Sequence, residues 1–179
     1  MGGSLLLDEI DDIPENLRQV FVETGTYKGC TTRLVAPFFN KVITIEISKK
    51  LFLEALDSFL LFPNIIPTRG SSVDVLDRPD IRDIYKTGAV FFLDAHISGW
   101  DSSYDPELRV PLLEELSIIN KEPLGESFFI IDDLRLWKSG NWPFTSEQIC
   151  QQFKPNQIIK TYEKNDRYWI HTRDLLSQN

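Results

Sequence analysis

The sequence has 179 residues, 42% of them hydrophobic and 26% charged, which is the size and balance of one globular domain. It excludes disordered, collagen-like, coiled-coil and disulfide-scaffold chains. With 19 Lys and Arg against 27 Asp and Glu, a net charge of −8, and no basic cluster, nucleic-acid binding and anionic-membrane binding are disfavoured, and no apolar run approaches the ~20 residues of a membrane helix.

Met1-Gly2-Gly3-Ser4 reads as a cloning scar, so residues 1–6 are taken as a linker and residues 7–179 as a single domain. Cys30 and Cys150 read as reduced thiols, as in a cytoplasmic protein. The first strand is expected over Gln19–Glu23, ending in Thr24-Gly25-Thr26, with a helix over Gly29–Phe38. A second strand covers Lys41–Glu46, and Ser48 caps a helix over Lys49–Leu61. A short third strand at Asn64–Pro67 meets the turn Gly70-Ser71-Ser72, and broken helix follows to Tyr85. Gly88–Asp94 is a buried fourth strand, followed by irregular chain over Ile97–Pro106. Pro111 opens a helix over Leu112–Asn120, by the first-turn proline rule. Ser127–Asp132 is the fifth strand; Leu134–Phe144 is irregular and rich in Trp and Pro. Thr145 or Ser146 caps a short helix to Phe153, and Gln157–Tyr162 and Tyr168–Thr172 flank a turn as a hairpin.

Strands joined by helices pair in parallel. The expected fold is therefore a doubly wound, Rossmann-like α/β sheet of seven strands, mostly parallel, with an antiparallel hairpin at its C-terminal end. Such sheets bind ligands at the carboxyl ends of their strands, near the switch point. Those ends carry Glu23-Thr24-Gly25, Glu46, Gly70-Ser71-Ser72, Asp94-Ala95-His96 and Asp132-Asp133.

In Glu23-Thr24-Gly25-Thr26-Tyr27-Lys28-Gly29, two glycines precede a helix, so backbone N–H groups can approach a ligand closely. The spacing is G-x-x-x-G, neither a dinucleotide fingerprint nor a P-loop. A carboxylate at Glu23 would repel a pyrophosphate and suits a cationic or neutral ligand, such as an ammonium or a sulfonium. The plainer reading is an ordinary strand-to-helix turn. Glu46 can accept two hydrogen bonds from a ribose diol. Asp94, Asp132 and Asp133 would repel one another in one cleft, which calls for raised pKa values or a hard divalent cation such as Mg2+ or Mn2+. Alternatively, an Asp of the pair caps the next segment and Asp94 shapes the ligand pocket.

The run Val22 to Gly29, with Glu46 after Val-Ile-Thr-Ile, resembles class I S-adenosylmethionine-dependent methyltransferases over about Val20 to Thr172. That resemblance implies S-adenosylmethionine as cofactor, held by Glu23, Thr24, Gly25, Thr26, Gly29, Glu46, Ser71, Ser72 and Asp94. Asp94 and Asp132-Asp133 further resemble the metal-dependent sugar O-methyltransferases of the macrocin O-methyltransferase group. This implies that Asp94, Asp132 and Asp133 are metal ligands and that position 96 holds the base. The chain departs from that pattern there, with His96 in place of Asp; a histidine titrates near neutrality and suits a base. The stretches Leu93–His96, Pro111–Leu116 and Ile131–Arg135 also resemble methyltransferase-like domains beside or fused to glycosyltransferases in bacteria and large algal viruses.

The expected acceptor is accordingly a glycan, as an oligosaccharide or a nucleotide sugar, contacted by Trp100, Tyr104, Arg135 and Trp137. Aromatics there, including Trp142, would otherwise pack the loops or form a homo-oligomer seam. Of Glu114 and Glu115, one is expected to face solvent, and neither is given a function. The rival readings are a nicotinamide-dependent oxidoreductase, a non-catalytic S-adenosylmethionine-binding domain and a metal-dependent hydrolase.

Overall fold

A computed structural model describes residues 4–94, 110–142 and 144–178. In chain order its helices and strands are α1 (Leu7–Ile10), β1 (Val20–Thr24), α2 (Cys30–Val35), β2 (Lys41–Glu46), α3 (Lys49–Phe59), β3 (Ile65–Arg69), α4 (Ser72–Leu76), α5 (Pro79–Tyr85), β4 (Val90–Leu93), α6 (Leu112–Ile119), β5 (Ser127–Ile131), α7 (Leu134–Lys138), α8 (Ser146–Cys150), β6 (Ile158–Lys164) and β7 (Arg167–Thr172).

The strands form one sheet in the order β3-β2-β1-β4-β5-β7-β6. Pairing is parallel from β3 to β5, and β7 runs antiparallel to both β5 and β6. The expected doubly wound sheet with its terminal hairpin is therefore the observed one. Strand order reverses between β1 and β4, which places the switch point beside Thr24 and Leu93, partners in register.

Side chains alternate across the sheet and build two cores. Val22, Phe91, Leu93 and Ile131 face Leu112, Leu116 and Ile119 of α6. Phe21, Phe92 and Ile130 face Val35 of α2 and Phe59 of α3. Strands covered on both sides must be apolar throughout, and β4 and β5 are buried at every position. Ser48 caps α3 as expected, its hydroxyl accepting from Leu51 N at 3.4 Å.

The differences from the sequence reading have local causes. α2 gives way to a 3-10 turn over Ala36–Phe38, because Pro37 has no N–H to continue the α-helix. β3 runs on to Arg69 because its ladder follows β2 as far as Glu46. α7 is helical where irregular chain was expected, and its first amide, Leu134 N, donates to Asp166 O in the hairpin turn at 2.8 Å. Within residues 1–6, Leu5 is buried and its amide donates to the Thr31 hydroxyl at 3.3 Å. The expected irregular segment Ile97–Pro106 lies outside the described residues. Among the described residues no helix is long and apolar enough to cross a membrane.

Candidate functional site

At the β1–β2 end, Gly25 and Thr26 donate their amides to Ile45 O, which folds the loop back over β2. Gly25, Tyr27 and Gly29 all have positive φ, at 84°, 49° and 68°. Glu46, 6% exposed, accepts from Tyr27 N at 2.9 Å and from Ser48 N at 2.8 Å, so its two carboxylate oxygens fasten the glycine loop to the start of α3. A Cβ on Gly29 would stand 2.6 Å from the Phe59 ring; at this position the glycine admits a core side chain.

Glu23 was expected to face the ligand, but the pleat turns it beneath α2. Its Oε2 accepts from the hydroxyls of Thr32 and Thr44, both at 2.5 Å, and Thr26 extends the chain of hydroxyls through Thr44. Burial pushes the Glu23 carboxyl up to about 8, against the lowering pull of the two threonines. Glu23 is thus a proton-holding support under the loop.

The β4–β5 end is built differently. Asp94 N donates to Thr24 O and Asp132 N to Leu93 O, both at 3.2 Å, so the two aspartates extend adjacent strand ends. Asp132 and Asp133 are 2% and 1% exposed. Arg167 places its Nε 3.1 Å from Asp132 Oδ1 and gives Nη1 to both oxygens of Glu9 at 2.9 Å. Arg135 reaches Asp133 Oδ1 at 2.6 Å and pairs with Asp166 in the hairpin turn. Arg135 therefore grips Asp133 from an exposed position beside the pair. Burial, then the charge of Asp94, raises Asp132 to about 7, while Arg167 pulls it down.

These contacts bear on the expected dication. Arginines supply positive charge to both members of the Asp132–Asp133 pair. Asp132 Oδ2 remains buried and without a hydrogen-bond partner among the described residues, so one oxygen of the pair suits a cation beside Asp94. Among the described residues no group of three or more His, Cys, Asp or Glu side chains is arranged to hold a metal.

Glu115 is the site residue that the sequence reading passed over. It is 1% exposed on α6, and its Oε2 lies 3.5 Å from the Thr24 hydroxyl that donates to it. Burial raises its carboxyl to about 7, opposed by the hydroxyls of Ser72 and Thr24. The signal was present in the helix pattern. Leu112, Leu116 and Ile119 form the buried stripe of α6, and position 115 falls on that stripe while 114 does not.

Ser71 stands at the start of α4, and Ser72 is buried beside Glu115. Trp137, expected at the acceptor face, is buried in the core, its ring 5.4 Å from Tyr168 and 5.8 Å from Phe144. His96, Trp100 and Tyr104 lie outside the described residues.

No family model and no curated protein matches this sequence. Solved structures do match its architecture. The O-methyltransferase TomG of Streptomyces achromogenes, involved in tomaymycin synthesis and solved with S-adenosylmethionine, is 14% identical with a TM-score of 0.61, over 89% of this chain and 75% of TomG. An O-methyltransferase of Bacillus cereus, solved with S-adenosylhomocysteine, is 15% identical with a TM-score of 0.62, over 89% of this chain and 76% of that one. The fold is the Rossmann-like methyltransferase fold. It is shared with the pre-rRNA processing protein fibrillarin of Methanococcus jannaschii, 17% identical with a TM-score of 0.57, over 90% of this chain and 69% of that one. On this fold the glycine loop, Glu46 and Asp94 stand at the carboxyl ends of β1, β2 and β4, the strands around the switch point.

Proposed function

We propose that this chain is an S-adenosylmethionine-dependent O-methyltransferase acting on a sugar hydroxyl of a glycan. The observation that carries the reading is Glu46: it ends β2 and ties down the glycine loop at the switch point, on a fold shared with O-methyltransferases solved with the donor and its product. Glu46 takes the donor ribose, and the backbone around Gly25 takes the methionine end.

The reaction is an in-line displacement. The acceptor oxygen attacks the methyl carbon, the C–S bond breaks, and sulfur keeps the electron pair as S-adenosylhomocysteine forms. The hydroxyl proton passes to a base, His96, two residues beyond Asp94. A divalent ion held by Asp94 and Asp132, with Asp133 beside them, would lower the pKa of the hydroxyl. Arg167 and Arg135 keep the acidic pair in place with or without it. Arg135, exposed at the rim, meets the acceptor. The protein is cytoplasmic in this reading and works beside, or fused to, glycosyltransferase domains.

Calorimetric titration is the decisive test. S-adenosylhomocysteine should bind and NAD should not; Glu46→Ala should weaken the former about tenfold. Binding of NAD in its place would establish the oxidoreductase reading. Incubating oligosaccharides with labelled donor, with and without chelator, then reads out the acceptor by mass spectrometry. Mn2+ titration followed by paramagnetic resonance, with Asp132→Asn as control, reports the cation independently of turnover.

A further inference from the structure

We propose that Glu115 is a positioning residue of the donor site: from α6, its one carboxyl fastens the glycine loop after β1 to the Gly70-Ser71-Ser72 turn after β3. What those two loops hold rests on the methyltransferase reading above; the clasp between them does not.

The clasp follows from the burial pattern. Leu112, Leu116 and Ile119 of α6 share one core with Val75 and Leu76 of α4. Glu115 falls on the same stripe and is 1% exposed. A carboxyl there loses its water, a cost that leucine would not incur. Two hydroxyls offset it. Thr24 donates to Oε2 at 3.5 Å, and Ser72 is hydrogen-bonded to the same side chain. Thr24 immediately precedes Gly25, whose positive φ opens the glycine loop. Ser72 is the first residue of α4, directly after the β3 turn.

Glu46 makes the matching clasp from β2. Its carboxylate accepts from Tyr27 N in the glycine loop, and its backbone carbonyl accepts from Gly70 N at 3.0 Å. Each loop is thus held twice, by Glu46 within the sheet and by Glu115 from a helix packed on it. The cavity beside Glu115, lined by Leu93, Asp94 and Leu112, has room for about one water and none for a substrate. That volume serves Oε1, which is buried with no hydrogen-bond partner among the described residues. Glu115 therefore acts on the loops and not on the reacting atoms. Loops held before the donor arrives give up less freedom on binding it, so the clasp is felt as donor affinity.

The test pairs amide hydrogen exchange of the donor-free protein with calorimetric titration of S-adenosylhomocysteine. Glu115→Leu completes the apolar stripe and removes the acceptor. The amides of Gly25, Thr26 and Tyr27, all hydrogen-bonded in the fold, should then exchange about tenfold faster, while those of the β6–β7 hairpin keep the wild-type rate. S-adenosylhomocysteine should bind about tenfold more weakly. Glu115→Gln retains an acceptor oxygen and should stay within about threefold of the wild type in both measurements. Thr24→Val removes one donor and keeps the shape; it should accelerate the same amides, and it replaces the Leu variant should that one fail to fold. The proposal is overturned if the loop amides of the folded variant exchange as in the wild type, if the acceleration spreads equally to the hairpin, if the Leu variant binds S-adenosylhomocysteine as tightly as the wild type, or if Gln loses as much as Leu. A wild type that binds no S-adenosylhomocysteine would instead sink the methyltransferase reading, and the exchange rates alone would judge the clasp.

Discussion

Glu23 and Asp132 stand near the carboxyl ends of two strands of one sheet, and both are buried, yet they are held by opposite means. Glu23 sits among threonine hydroxyls, with no cation beside it among the described residues, and burial keeps its proton on to about 8. Asp132 has Arg167 at 3.1 Å, and Arg167 is itself secured by Glu9. The first arrangement spends no buried charge and gives a stiff support for a loop. The second keeps charges inside the protein, which is expensive unless every member is satisfied, and the return is a set of carboxylates fixed at the sheet's edge. The two ends should therefore answer differently to mutation and to pH.

The largest effect is expected at the charged end. Arg167→Met leaves Glu9 and Asp132 buried without their shared guanidinium, and should cost roughly 3–5 kcal/mol of unfolding free energy in urea titrations. A loss under about 1 kcal/mol would mean that the ion pairs are ornamental and that the contrast with Glu23 is false.

Next comes the neutral end, read through pH. The folded-state pKa of Glu23 is raised from 4.5 to about 8, so the folded protein holds a proton that the unfolded chain releases. Its contribution is fully present below pH 4.5 and drains away as pH rises towards about 8. Glu115 and Asp132, raised to about 7, act with the same sign over a narrower range. Glu23→Gln should flatten the fall in melting temperature between pH 5 and pH 8 relative to the wild type; an unchanged slope would show that Glu23 is ionised in the fold.

The smallest effect sharpens the packing side of the comparison. Gly29→Ala brings a Cβ to 2.6 Å from Phe59 at a φ of +68°, and should cost about 1–3 kcal/mol. Calorimetric melting measures it, and a neutral result would mean that the α3 ring yields freely.

Much of this architecture is legible in the sequence, because strands covered on both faces need unbroken apolar runs. Lys41–Glu46 was read to the residue and Val90–Leu93 to within its flanks. Local signals such as the Ser48 cap were legible too. What was not legible depends on contacts far along the chain. α7 is anchored by Asp166, 32 residues after Leu134 by number, and no local propensity announces it. Glu23 and Glu46 were read alike and lie on one face of the sheet, yet distant partners set them apart: Glu23 accepts from the hydroxyls of Thr32 and Thr44, and Glu46 from the backbone N–H groups of Tyr27 and Ser48. The arginine partners of Asp132 and Asp133 come from the hairpin and from α7, so a reading confined to the acidic triplet could see repulsion but not its relief. Trp137 was counted with the acceptor loops because it lies in a Trp- and Pro-rich run, yet it is a core residue of α7.

Arg167 joins Glu9 across 158 positions of sequence. Ribosomal synthesis delivers Glu9 158 residues before its guanidinium. During elongation Glu9 and Asp132 wait for the guanidinium that they share. The hairpin is thus a late rivet: until its turn clears the exit tunnel, the link that Arg167 makes between Glu9 of α1 and Asp132 cannot form. A nascent chain stalled before Arg167 should accordingly be cut by protease at both places together.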